Sequence, residues 1–215
     1  MTSHGRSVWA SLETRSAAAF LVGGLLWLLD TTLLGIELFA GVSILGTPGP
    51  LNPILYISGT VAACVGLLGV APALADRAPR MARVSGGVVA LAGTVIALLL
   101  LWFVAVTILN RPDPPFALLI LGILGAALGF VLFGLAVVRT GVPSRAVGAL
   151  LLAVVATIAG WILLGLVVYG GAPPGWTSPA VGVVMSGLLL TIGALLRSDR
   201  RRAGRGEPTP DSAAR

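Results

Sequence analysis

The sequence predicts an all-α protein, a polytopic integral membrane bundle of six transmembrane helices arranged as three sequential hairpins. Its 215 residues are 57% hydrophobic and only 10% charged, whereas a soluble domain carries about 25% charged residues. Six long apolar segments alternate with short polar connections. Thirteen of the fourteen arginines lie in the N-terminal segment, in alternate connections and in the C-terminal segment. Because cytoplasmic loops retain basic residues, this asymmetry predicts that both termini are cytoplasmic.

The predicted elements follow in chain order. The polar cytoplasmic segment 1–16 comes first, and Val8, Trp9 and Leu12 give it the apolar face of a short interfacial helix. The transmembrane domain covers 17–197, in which each apolar segment is close to the roughly 20 residues that a span requires. Its predicted spans are 17–39, 54–74, 84–109, 116–138, 146–169 and 179–196. The segment 198–215 is basic and contains glycine and proline, which predicts a disordered cytoplasmic tail.

The connections between the spans are of two kinds. Those at 40–53, 110–115 and 170–178 are rich in proline and glycine, which end helices, and together they carry one arginine, Arg111. The other two connections and the C-terminal segment are basic, so we expect them to be cytoplasmic and to contact lipid head groups. The arginines expected to do so are Arg77, Arg80, Arg83, Arg139, Arg145, Arg197, Arg200, Arg201 and Arg202.

A spacing pattern suggests that the hairpins are repeats. Trp102 precedes Pro115 by 13 residues, and Trp161 precedes Pro174 by the same number. Each proline is then followed, 24 or 23 residues later, by an arginine at the next basic edge. The pattern favours three hairpins of the same orientation. The alternative is that any helical hairpin crossing a bilayer has similar lengths.

Small residues recur at helical spacing within two spans. Gly125 and Gly129 are four residues apart in the fourth span, and Ser58, Ala62 and Gly66 follow one another in fours in the second. Small side chains let helix backbones approach closely where lipid gives no hydrophobic drive for association. These faces are therefore predicted to pack within the bundle, or alternatively to join copies of the chain or a partner membrane subunit.

Asp30 is the chemically unusual residue, because it falls well inside the first span. A charged side chain at the centre of a bilayer costs on the order of 2.5–3.5 kcal/mol by insertion scales. Glu37 follows seven residues later and projects from nearly the same helix face. Three interpretations stay open: Asp30 is uncharged or hydrogen-bonded and fixes helix packing, Asp30 and Glu37 bind a proton or cation, or Asp30 pairs with a basic group of a partner subunit.

Several kinds of chemistry find no support in the sequence. Cys64 is the only cysteine and His4 the only histidine, so an internal disulfide, a histidine zinc site and Ser-His catalysis are excluded. The chain has no P-loop, no nucleophile elbow and no paired-cysteine motif. We therefore expect no enzymatic activity, no cofactor and no bound metal. The net charge of +6 reflects membrane-edge arginines and does not predict nucleic-acid binding.

Two functions are compatible with these observations. The leading prediction is a non-enzymatic accessory, scaffold or stress-related component of a prokaryotic plasma membrane, which acts through its helix faces and basic tail. The alternative is a small proton- or cation-linked transporter or channel that uses Asp30 and Glu37. The lipid bilayer is the one partner predicted in either case.

Overall fold

The computed structural model describes residues 3–42, 51–109, 116–171 and 173–205, and within them the chain is all-helical with no strand. Each of the six helices contains a segment long and apolar enough to span a membrane, which confirms the predicted fold class. The helices are α1 (Ser3–Ala40), α2 (Leu51–Ala75), α3 (Pro79–Leu109), α4 (Phe116–Thr140), α5 (Arg145–Val168) and α6 (Thr177–Arg205).

The first and last helices extend beyond the predicted spans. Helix α1 is continuous from Ser3, so the segment predicted as a separate interfacial helix is its first part. Helix α6 continues to Arg205, so it includes residues 198–205 of the segment predicted to be a disordered tail, whereas 206–215 lie outside the described residues. Arginine and alanine favour helix, and Nη2 of Arg200 donates a 2.7 Å hydrogen bond to Oγ of Ser16, which attaches this extension to α1.

The helices form a closed ring in which every helix contacts both of its neighbours in sequence and α6 contacts α1. Neighbours are antiparallel: Phe20 of α1 meets Gly66 of α2, and Trp27 meets Gly59. The bundle therefore has two ends. The arginine end contains the connections at 75–79 and 140–145, and the proline end contains those at 40–51 and 169–177. Since α2 contacts α3 as it contacts α1, the contacts do not single out three hairpins, and the hairpin repeat stays a prediction.

Glycines permit the closest helix contacts. A Cβ added at Gly125 of α4 would lie 2.9 Å from the Cβ of Ala92 in α3, and one at Gly129 would meet a methyl group of Val89. On α2, a Cβ at Gly66 would lie 2.8 Å from the Phe20 ring. Three of the small residues singled out in the sequence therefore lie at helix interfaces, where their lack of a side chain determines how closely the helices approach.

The short connection between α4 and α5 has the expected terminators. Gly141 has a φ of +71°, a left-handed conformation that favours glycine, and its N–H donates a 2.8 Å hydrogen bond to the Val137 carbonyl. Ser144 caps α5, and its hydroxyl oxygen accepts from the Val147 N–H at 3.4 Å.

The two halves of the bundle are packed differently. Large side chains that are fully buried lie in the arginine-end half or near the middle, and they come from all six helices; they include Phe20, Leu67, Leu74, Val89, Phe133, Val137, Val147, Leu151, Leu189 and Ile192. Their contacts form one continuous apolar core. The proline-end half has no such layer among the described residues, and a partly open cavity lies there between the helices.

Candidate functional site

The cavity lies inside the ring and has a volume of about 290 Å³. The described lining residues come from five of the six helices, α1, α2, α4, α5 and α6. Most of the wall is apolar or aromatic. The lining residues are Trp27, Asp30, Thr31, Leu34, Tyr56, Ile123, Ile158, Trp161, Ser178, Val181, Gly182 and Met185.

Asp30 is the one acidic residue among the described residues of this wall, and none of them is basic. Its carboxylate oxygen Oδ1 is buried and accepts no hydrogen bond from any described residue. The hydroxyl of the adjacent Thr32 donates instead to the Leu28 carbonyl at 2.7 Å. Thr31 packs against Gly182 of α6. A buried acceptor without a donor is costly, so this oxygen is the feature of the cavity that needs an explanation.

Three aromatic side chains, Trp27, Tyr56 and Trp161, line the same cavity as the acid. Trp27 and Tyr56 are stacked, with ring centroids 5.2 Å apart and planes inclined by 11°. The Trp27 indole N–H donates to the Tyr56 carbonyl at 3.0 Å, and that of Trp161 donates to Oγ1 of Thr177 at 2.9 Å. Both indole donors are therefore engaged within the protein, and the rings offer the cavity apolar surface.

The structure does not bring the two predicted acids together. Asp30 lines the cavity, but Glu37 is not among the lining residues. Seven helical residues separate them by about 10 Å along α1 toward the proline end. Arg111, which the sequence places near that end, lies outside the described residues. Asp30 alone is the candidate for binding chemistry inside the bundle.

The predicted lipid-facing arginines are at the arginine end. Arg77, Arg80, Arg83, Arg139, Arg145, Arg197 and Arg201 are exposed there. Arg197, Arg200 and Arg201 also line a groove between α1 and α6, whose floor is Ala17, Ala18 and Leu21. The side chain of Arg202 lies outside the described ones. Head-group contact by these residues stays a prediction.

Sequence reasoning missed two parts of this region. Gly59 makes the closest approach of α2 to α1, because a Cβ there would collide with the Trp27 indole. It lies one residue beyond the predicted Ser58, and the series Gly59, Ala63 and Gly66, spaced by four and three, would have identified the face. The grouping of Tyr56 and Trp161 with Asp30 in one wall was also missed, since these two residues come from helices that no local pattern connects to Asp30.

Within the described residues no group of three or more His, Cys, Asp or Glu side chains is placed to hold a metal ion. Cys64 is a free, buried thiol. No protein-family model matches this chain, and neither a curated protein nor a solved structure is similar enough to count as a match.

Proposed function

We propose that this protein is a small cation-linked membrane transporter in which Asp30 binds a proton or another cation inside the bundle. The observation that carries the proposal is the Asp30 carboxylate, which lines a cavity while one of its oxygens has no hydrogen-bond donor among the described residues. Acids within membrane spans commonly mark ion or proton pathways. A bound cation supplies a counter-charge to the carboxylate that none of the described lining residues provides.

The competing interpretation, in which Asp30 only fixes helix packing, has less support. A packing carboxylate is expected to accept hydrogen bonds that hold two helices together, and no described residue donates one to Oδ1. The helices around it are held instead by glycine contacts, such as Gly182 against Thr31 and Gly59 against Trp27.

Proton flux into liposomes tests the proposal. The full chain is reconstituted with a pH-sensitive dye inside the vesicles, and a membrane potential is applied. We expect flux above that of empty vesicles for the wild type and for Glu37→Gln, and flux at the background level for Asp30→Asn. Glu37→Gln is the matched control, since it neutralises an acid of the same helix that does not line the cavity. Equal flux for wild type and Asp30→Asn contradicts the proposal.

An accessory or scaffold role is the second candidate, and one observation favours it. Gly87, Gly160 and Gly187 are exposed on α3, α5 and α6, with no atom within 4 Å of where a Cβ would be. Such open small-residue positions leave room for a helix of another subunit. Native mass spectrometry of protein extracted in mild detergent tests this role, which requires a stoichiometric partner or a defined homo-oligomer.

We also propose that the protein resides in the plasma membrane of a prokaryote with its arginine end, and so both termini, in the cytoplasm. The support is the arginine asymmetry of the sequence. Because the native Cys64 is buried, single cysteines introduced at exposed positions can be labelled selectively. In right-side-out vesicles an impermeant maleimide should modify Gly171→Cys, at an exposed position where an added Cβ has open space, and should spare Arg77→Cys; the reverse pattern would invert the orientation.

A further inference from the structure

We propose that the cation accepted by the cavity is a primary organic ammonium ion that carries an apolar group of about the size of one aromatic ring. This inference rests on the proposed function, and it specifies the ligand of the same site. It follows from four properties of the cavity wall: its charge, its hydrogen-bonding capacity, its aromatic surface and its volume.

The negative charge that Asp30 gives the cavity wall favours an ammonium group as the ligand. Among the described lining residues there is one carboxylate and no basic side chain. A positive ligand is stabilised in such a low-dielectric site, whereas an anion would be repelled. A primary ammonium brings three N–H donors to the side of the cavity that Asp30 lines, and hydrogen bonds between charged partners are about twice as strong as neutral ones.

The oxygen ligands in the wall are too few for a metal cation. Calcium takes 6–8 oxygen ligands, and magnesium requires a near-ideal octahedron. The side chains here provide one carboxylate and the hydroxyls of Thr31, Tyr56 and Ser178. Most of the remaining wall consists of hydrocarbon and indole, which cannot replace the hydration shell of a small inorganic ion.

The rest of the wall matches an apolar substituent. The indole N–H groups of Trp27 and Trp161 already donate hydrogen bonds to Tyr56 and Thr177. An apolar ligand group that packs against these rings therefore leaves no indole N–H without an acceptor. Aromatic faces also attract cations, by about 0.5–2 kcal/mol each. The aliphatic side chains of Leu34, Ile158 and Met185 complete the surface against which an apolar group can pack.

The volume limits the size of the ligand. A water molecule occupies about 30 Å³ in the liquid, so a cavity of about 290 Å³ has room for about ten water-sized groups. A phenyl ring joined to an ethylammonium chain is of this size.

Binding of 2-phenylethylammonium to the full chain in lipid nanodiscs tests the inference, with calorimetry as readout and empty nanodiscs as blank. Two related compounds measure the contributions of the ring and of the charge separately. 2-Phenylethanol retains the ring without the charge, and methylammonium retains the charge without the ring. We expect both to bind more weakly than 2-phenylethylammonium by about tenfold or more, corresponding to at least 1.4 kcal/mol. Equal affinity for 2-phenylethanol overturns the assignment of an ammonium ion.

Two variants locate the binding site. Asp30→Asn removes the charge, and Ile158→Trp fills the cavity but retains the carboxylate; each is expected to weaken binding by about tenfold or more, while Glu37→Gln is expected to bind like the wild type. Unchanged affinity of Ile158→Trp overturns the assignment to this cavity. The ligand should also raise the unfolding temperature of the wild type, a readout that needs no variant.

The outcome for the ligand is separable from that for the proposed function. Wild-type protein that conducts protons through Asp30 but does not bind 2-phenylethylammonium contradicts the ligand class and leaves the transporter proposal standing. Wild-type protein that shows neither flux nor binding contradicts both.

Discussion

Replacing Asp30 with leucine is expected to stabilise the protein, raising its free energy of unfolding by about 1–3 kcal/mol. The reason is the buried oxygen Oδ1, which loses its hydration in the bundle and gains no donor among the described residues. A leucine side chain of similar reach removes this cost and adds contacts with the apolar wall formed by Leu34, Val181 and Met185. Thermal or denaturant unfolding in detergent, followed by circular dichroism, measures the change.

The sign of this change separates the interpretations of Asp30. If the carboxylate holds helices together, Asp30→Leu lowers the stability, and that result contradicts our account of the site. The control is Glu37→Leu, the same substitution at an acid that does not line the cavity; the difference between the two variants is the effect specific to Asp30. A protein that becomes more stable as it loses flux shows that the acid is retained for activity at a cost in stability.

Adding one methyl group at Gly59 should destabilise the bundle by about 1–3 kcal/mol, as overpacking of a tight core usually does. An added Cβ would lie 2.6 Å from Nε1 of Trp27 and 3.0 Å from the carbonyl oxygen of Gly23. The indole can move away only by giving up its 3.0 Å hydrogen bond to the Tyr56 carbonyl. Unfolding of Gly59→Ala, compared with the wild type under the same conditions, measures the loss.

The matched control for Gly59→Ala has the opposite expected sign. Gly87 of α3 is exposed, and a Cβ there would meet nothing within 4 Å. Because alanine favours a helix interior over glycine by roughly 0.5–1 kcal/mol, Gly87→Ala should be neutral or slightly stabilising. If both variants change stability alike, the close contact between α1 and α2 at Gly59 has no special role in holding the bundle.

The parts of this structure that sequence predicted well depend on local properties of the chain. The spans were predictable because about 20 apolar residues in succession have few alternatives to a membrane helix. Asp30 was predictable as a candidate because a charge within such a segment is costly wherever the helix is placed. Gly125 and Gly129 were predictable because helical spacing places them on one face, and that face does contact α3.

The parts that sequence did not predict depend on contacts between distant residues. The ring is closed by α1 and α6, and nothing local to either helix indicates that Ser16 meets Arg200. Asp30 and Glu37 were grouped because they share a helix face, but only Asp30 lines the cavity. The cavity is bounded by Trp161 and Ile158 of α5, and their proximity to α1 follows from the order of the helices around the ring.

The tightly packed half of the bundle has a consequence for the kinetics of any flux. Phe20, Phe133 and Leu189 are fully buried in it. In this conformation, tightly packed apolar side chains, and not a water-filled pore, therefore lie between Asp30 and the arginine end. Electrical recordings should therefore lack unitary current steps. The rate should saturate with substrate and rise steeply with temperature, because each turnover requires these side chains to repack. Among the mechanisms by which a cation crosses a membrane, this favours a carrier over a channel.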